Sequence, residues 1–165
     1  MPSLSLRAVA LGGALTAASA LAIAHASELW GGLVPCALCL WERWPYRAVL
    51  VLGLIAAMWP RHARLLLWLM VLALLVNVGL SVIHVGVELR WWPSPLPGCS
   101  AATLPSGGSL AERLAAMPAR PAKPCDDPSF LIPGLPLSMA AMNLLFALVF
   151  ASLLAMSLSR RFRTR

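Results

Sequence analysis

Four apolar stretches lay out the chain: Ala8–Ala24, Ala48–Trp59, Leu65–Ile83 and Leu135–Leu158. A helix that crosses the hydrocarbon core of a bilayer needs ~20 apolar residues, with ~17 the practical floor. The first, third and fourth stretches reach that length unaided. The second has 12 uninterrupted residues, roughly 18 Å of helix at 1.5 Å per residue. It crosses only if the helix extends upstream through Trp44 towards Trp41, which carries Arg43 and Glu42 to the membrane face beside Cys39. The pattern predicts an all-α integral membrane four-helix bundle, a single membrane domain over residues 1–165. Its helices run over about 6–26, 41–59, 65–89 and 136–158, with outer loops over about 27–40 and 90–135.

The first helix is rich in Ala and Gly (Gly12, Gly13), which lets helices approach closely in a membrane. Its Ala24-His25-Ala26 resembles a signal-peptide cleavage site, but the apolar run is longer than a signal-peptide core, so a retained helix is expected. Pro60 stops the second helix and the turn "RHAR" follows. The second loop holds nine of the 14 prolines and is expected to be mostly irregular. Within it, "SLAERLAAM" sets Leu110, Leu114 and Met117 at helical spacing, with Glu112 and Arg113 opposite. That pattern fits either a plain loop helix or a short amphipathic helix lying on the membrane surface. Trp30, Trp41, Trp44, Trp91 and Trp92 fall where an interfacial aromatic belt is expected.

Composition agrees: 60% of residues are hydrophobic and 12% charged, and mean hydropathy is +0.81, where a soluble domain carries about a quarter charged residues. The net charge of +7 would suit nucleic acid, but its distribution does not. In a four-span arrangement Arg7, Arg61, Arg64, Arg160, Arg161, Arg163 and Arg165 lie on one side with no acid among them. All six acids and the remaining six bases lie on the other. Basic residues favour the cytoplasmic side. Both termini are therefore expected in the cytoplasm, and both long loops with all four cysteines outside it, where lasting disulfides form.

The chemistry concentrates at "PCALCLWER", residues 35–43. A C-x-x-C brings two sulfurs within bonding reach, and a helix N-terminus or a nearby cation stabilises thiolate. If helical geometry begins near the motif, Cys36, Cys39 and Arg43 share one face. Redox exchange thus outweighs two thiols packing as small hydrophobes. Cys99 and Cys125 are 26 apart and make no second C-x-x-C, which argues against a four-cysteine zinc site. A bridge between them fits both a static staple and a partner-accessible exchange disulfide. Arg43 at the membrane face is costly unless paired or functional, or else it snorkels to the headgroups. His84 and Glu88 lie four apart on one helical face, as an interfacial polar pair or as a proton carrier beside a redox cofactor. His25 and His62 carry no assigned role, and the absence of C-x-x-C-H gives no attachment site for haem.

Four spans, "PCALCLWER" before the second helix, "HVGVE…WWPSP…C" after the third, a lone "PCDD" and "LSMAAMN" opening the fourth together resemble the DsbB family, over nearly the whole chain. The resemblance implies a bacterial inner-membrane enzyme that reoxidises a DsbA-like periplasmic thiol oxidant. By that resemblance Cys99–Cys125 exchange with the partner and Cys36–Cys39 pass electrons to a membrane quinone, ubiquinone or menaquinone. Arg43 holds the quinone near Cys39, and His84 and Glu88 join it as cofactor-binding candidates. Neither a resident metal nor nucleic acid is implied. Two rivals remain: a vitamin K epoxide reductase-like enzyme, in which the lone cysteines precede the C-x-x-C, and a Cys-ligated metal-binding membrane protein.

Overall fold

The computed structural model describes residues 5–96, 99, 109, 111, 123–132 and 134–163. Among the described residues four helices follow one another: α1 Leu6–Leu29, α2 Ala37–Met58, α3 Ala63–Glu88 and α4 Met139–Arg163. Among the described residues there is no strand, only an isolated parallel bridge between Cys36 and Lys123. Each helix packs mainly on its neighbour in sequence, α1 on α2, α2 on α3 and α3 on α4. The amphipathic stretch with Leu110, Glu112, Arg113, Leu114 and Met117 lies outside the described residues.

Local chemistry explains where the helices begin and end. Ser5 caps α1, its hydroxyl accepting from the Ala8 N–H at 3.2 Å. Ser138 caps α4 in the same way, accepting from the Ala141 N–H at 3.2 Å. Cys36 occupies the cap position of α2, its sulfur accepting from the Cys39 N–H at 3.2 Å. Such caps satisfy donors that the first helical turn leaves free. α2 therefore begins at Ala37, four residues before the expected start at 41, and the C-x-x-C opens the helix instead of preceding it.

α3 ends in a double backbone closure, Arg90 N–H to the Val87 carbonyl at 3.0 Å and Trp91 N–H to the Gly86 carbonyl at 2.9 Å. This turn needs a left-handed residue just past the cap, and Arg90 supplies it at φ 58°. The reversal lays the Trp92 indole over Gly86, where any β-carbon would collide with the ring. Trp92 Nε1 also donates to the Ile83 carbonyl at 3.1 Å.

The interior interleaves small residues with larger ones such as Leu67, Met70, Leu74 and Phe150. Ala10, Ala14, Ala17, Ala56, Ala63, Ala147 and Ala151 are buried, whereas Leu15, Val51, Leu65, Leu72 and Val149 face outward. Lipid is as apolar as leucine, so membrane helices associate through close packing and polar contacts. Gly53 shows how close: a β-carbon there would meet the Ala10 carbonyl oxygen of α1 at 2.8 Å. α1, α3 and α4 are each long and apolar enough to cross a membrane. α2 has 22 residues, about 33 Å of helix, and carries Glu42, Arg43 and Arg47 in its outer half. A second, smaller buried cluster lies at the cysteine end of the bundle: Cys36, Leu38, Val87, Cys99 and Cys125.

Candidate functional site

All four cysteines meet in that smaller cluster. Cys99 and Cys125 form a disulfide, and both pack with Cys36 in one buried group against which Cys39 rests. Backbone bonds hold the assembly: Lys123 bridges to Cys36, and the Cys125 N–H donates to the Cys99 carbonyl at 3.2 Å. Lys123 is anchored in turn to Ser129 Oγ at 2.8 Å and Asp127 at 3.2 Å.

Cys36 and Cys39 are free thiols with their sulfurs 2.8 Å apart. Because α2 starts at Ala37, Cys39 sits in the first turn and Cys36 just ahead of it. Hydrogen bonding with the Cys39 side chain holds the Cys36 thiol below its ordinary pKa, against the opposing effect of burial, and the Cys39 N–H helps. A lowered thiol is the nucleophile and leaving group that disulfide exchange requires.

Two polar pairs frame the thiols. His84 of α3 presents Nε2 to Cys36 Sγ at 3.4 Å and Nδ1 to Glu42 Oε1 at 3.1 Å. Arg43 of α2 donates through Nη2 to Glu28 Oε1 of α1, and Glu28 lies 3.7 Å from His25 Nδ1. Neighbouring residues of α2, Glu42 and Arg43, are thus partnered on different helices, α3 and α1. Glu88 stands apart: the Ser138 hydroxyl at the start of α4 donates to its Oε2. A carboxylate there also faces the positive end of a helix. His84 therefore pairs with Glu42, not with Glu88.

A cavity of about 290 Å³ opens between α1, α2 and α4, with Cys39, Glu42, Arg43, Tyr46 and Asn143 on its wall. The rest of the lining is mostly apolar, including Ile23, Leu131, Met142 and Phe146. Tyr46 O–H donates to Asn143 Oδ1 at 2.6 Å, and Asn143 Nδ2 donates to Ser81 Oγ at 2.8 Å. Cys36, His84 and Glu88 are not on this wall. Apolar walls with a cation, a thiol, a phenol and an amide at defined points suit a flat apolar molecule bearing hydrogen-bond acceptors. One further feature is the convergence of Cys36, Cys39 and His84, whose donor atoms lie within 4.8 Å of one another.

Sequence reasoning brought Cys36, Cys39 and Arg43 onto one helical face, but it gave no role to Glu28, Glu42, Tyr46, Asn143 or Ser138. The signal for the two acids was the cost of charge at a membrane face. Arg43 there demanded a partner, and Glu28 lay one helix away.

A helical membrane protein with a reduced C-x-x-C packed on a second disulfide belongs among the membrane oxidoreductases that act on disulfides. The family model for disulfide bond formation protein DsbB matches residues 6–157. The chain belongs to that family, a multi-pass inner-membrane family that forms disulfide bonds. No curated protein and no solved structure gives a significant match.

Proposed function

We propose that the protein is a protein-dithiol:quinone oxidoreductase that reoxidises a DsbA-like periplasmic partner. One observation carries this reading. Cys36 is packed with Cys99 and Cys125, while Cys39, three residues on, faces the apolar cavity beside Arg43. The inner pair thus touches the outer disulfide on one side and a lipid-soluble acceptor's site on the other.

In this scheme a partner thiolate attacks the Cys99–Cys125 disulfide. The partner leaves oxidised, and two electrons with their protons remain on Cys99 and Cys125. That dithiol then attacks an oxidised Cys36–Cys39 pair, re-forming the outer disulfide and leaving the inner pair as thiols. A quinone, ubiquinone or menaquinone, supplies the two-electron acceptor. The Cys36 thiolate is favoured by the Cys39 contacts, Arg43 is positioned to polarise a carbonyl group, and the apolar walls exclude water. The topology that goes with this scheme puts both termini in the cytoplasm and the cysteines in the periplasm, as the charge asymmetry supports.

Redox arithmetic favours a quinone. A DsbA couple lies near about −120 mV, and a thiol buffer near about −180 mV is roughly 60 mV, or about 2.8 kcal/mol, too reducing to reoxidise it. The test compares Cys99→Ser with Cys36→Ser in detergent. Cys99→Ser should lose exchange with the partner yet leave Cys36–Cys39 in equilibrium with quinone. Cys36→Ser should keep the outer disulfide reactive and stop quinone reduction. Wild-type turnover in both variants would end the relay scheme.

A further inference from the structure

We propose that the reduced inner pair is also a metal site: Cys36, Cys39 and His84 together bind one zinc-like divalent ion per chain, and binding arrests the relay. The metal site belongs to the dithiol state and does not depend on the quinone, whereas arrest of the relay rests on the scheme proposed above.

The three donors come from two helices, and their ligating atoms lie within 4.8 Å of one another. A tetrahedral zinc with Zn–S of about 2.3 Å and Zn–N of about 2.0 Å sets sulfurs about 3.8 Å apart and sulfur and nitrogen about 3.5 Å apart. Cys36 Sγ and His84 Nε2 are already 3.4 Å apart. The two sulfurs, at 2.8 Å, open by about 1 Å through side-chain rotation. Burial is high, with Cys36 4% and His84 2% exposed, so the donors are held in place by the surrounding helices.

The surroundings are those of a built metal site rather than a chance meeting of thiols. A metal-bound histidine almost always donates its other ring N–H to a carboxylate, which fixes the ring and raises its basicity. Glu42 occupies that position, with Oε1 3.1 Å from His84 Nδ1. That contact leaves Nε2 as the free face, turned to the cysteines. The Cys39 N–H on Cys36 Sγ is the backbone bond that stabilises a ligating thiolate. Three protein ligands leave a fourth position for water, and Cys39 and Glu42 both face the cavity through which an ion and its water would enter.

The chemistry balances without a redox partner. Two S–H bonds break, two metal–sulfur bonds and one metal–nitrogen bond form, and two protons leave to solvent. Two thiolates neutralise the ion, so the site adds no net charge to a poorly solvated region. The oxidised pair, with both sulfurs committed to one another, has no thiolate to offer. The site therefore exists only between arrival of electrons and their departure.

The experiment uses full-length protein in detergent, reduced at Cys36–Cys39 with a phosphine and titrated with cobalt(II), then with zinc to displace it. The reduced wild type should take up one cobalt per chain with thiolate-to-metal charge-transfer absorption, and the oxidised wild type none. Cys36→Ser should abolish that absorption, and His84→Gln should weaken affinity at least tenfold. Glu42→Gln, which touches no ion, should weaken it ten- to a hundredfold through His84. Arg43→Ala should bind as wild type, since Arg43 contacts no ligand. Zinc should stop partner oxidation, and a chelator should restore it. No cobalt uptake by the reduced wild type, uptake of half an ion per chain through dithiols bridging two molecules, or unchanged affinity in His84→Gln would each overturn the proposal. The oxidised-against-reduced comparison needs no substitution and keeps the test decisive if a variant misfolds.

Discussion

Replacing Arg43 with alanine separates its two duties. Its guanidinium is tied to Glu28, with side-chain exposures of 9% and 24%, and it lines the cavity beside Cys39. Truncating one partner of a fully buried ion pair costs roughly 3–5 kcal/mol. Glu28 is partly exposed and keeps His25 at 3.7 Å, so solvent screening brings the expected loss to about 2 kcal/mol. The same truncation removes the group that would polarise a quinone carbonyl, and the quinone KM should rise about tenfold or more, about 1.4 kcal/mol. The double variant Arg43→Ala with Glu28→Gln tells these apart. Neutralising the orphaned carboxylate should restore most of the thermal stability in detergent and leave the quinone KM high. Arg43→Lys keeps the charge without the planar fork and should fall between wild type and alanine in both measurements. If the double variant regains a normal quinone KM, or if Arg43→Ala never loses it, Arg43 is only a clamp between α1 and α2 and the quinone binds elsewhere.

Three further outcomes are expected. The thiolate absorbance of the reduced inner pair should contain a component titrating below the ordinary cysteine range and absent from Cys36→Ser; because the folded value is depressed, its stabilising effect is present above that ordinary range and fades as pH falls through the folded value, so equal pH dependence in the two proteins would contradict the assignment. Gly86→Ala should dislodge the Trp92 indole and cost about 1–3 kcal/mol, read as a lower melting temperature and a shift in tryptophan fluorescence; unaltered fluorescence would mean the ring does not rest there. A reporter fused after Arg165 should be cytoplasmic, and Asp127→Cys should react with a membrane-impermeant thiol reagent from the periplasmic side; a periplasmic C-terminus would invert the topology.

The helices were legible because lipid imposes a simple rule: a long apolar run must satisfy its own backbone. α1, α3 and α4 follow it directly. α2 was harder, since Glu42, Arg43 and Arg47 interrupt its apolar pattern and its start depends on a cysteine acting as cap. The site was legible as far as one helix reaches. Spacing put Cys36, Cys39 and Arg43 on one face, but the same rule paired His84 with Glu88. In the fold, His84 turns to Glu42, 42 residues away in sequence, and Glu88 turns to Ser138, 50 away. Contacts of that range depend on how helices are set against one another, and no local periodicity encodes them.

The cavity's walls bear on how rates must be counted. Two of its lining residues, Ile23 and Phe146, are 57% and 39% exposed, and in the scheme proposed above this is where a lipid-soluble acceptor enters. On the proposed scheme, a quinone reaching the site through the bilayer moves in two dimensions and does not pass through bulk water. Its effective concentration is a mole fraction in the bilayer, set by how many lipid or detergent molecules share it. Adding empty micelles at fixed quinone and fixed protein should therefore slow the enzyme, while diluting the whole sample with buffer at a constant ratio of quinone to detergent should leave turnover per enzyme nearly unchanged.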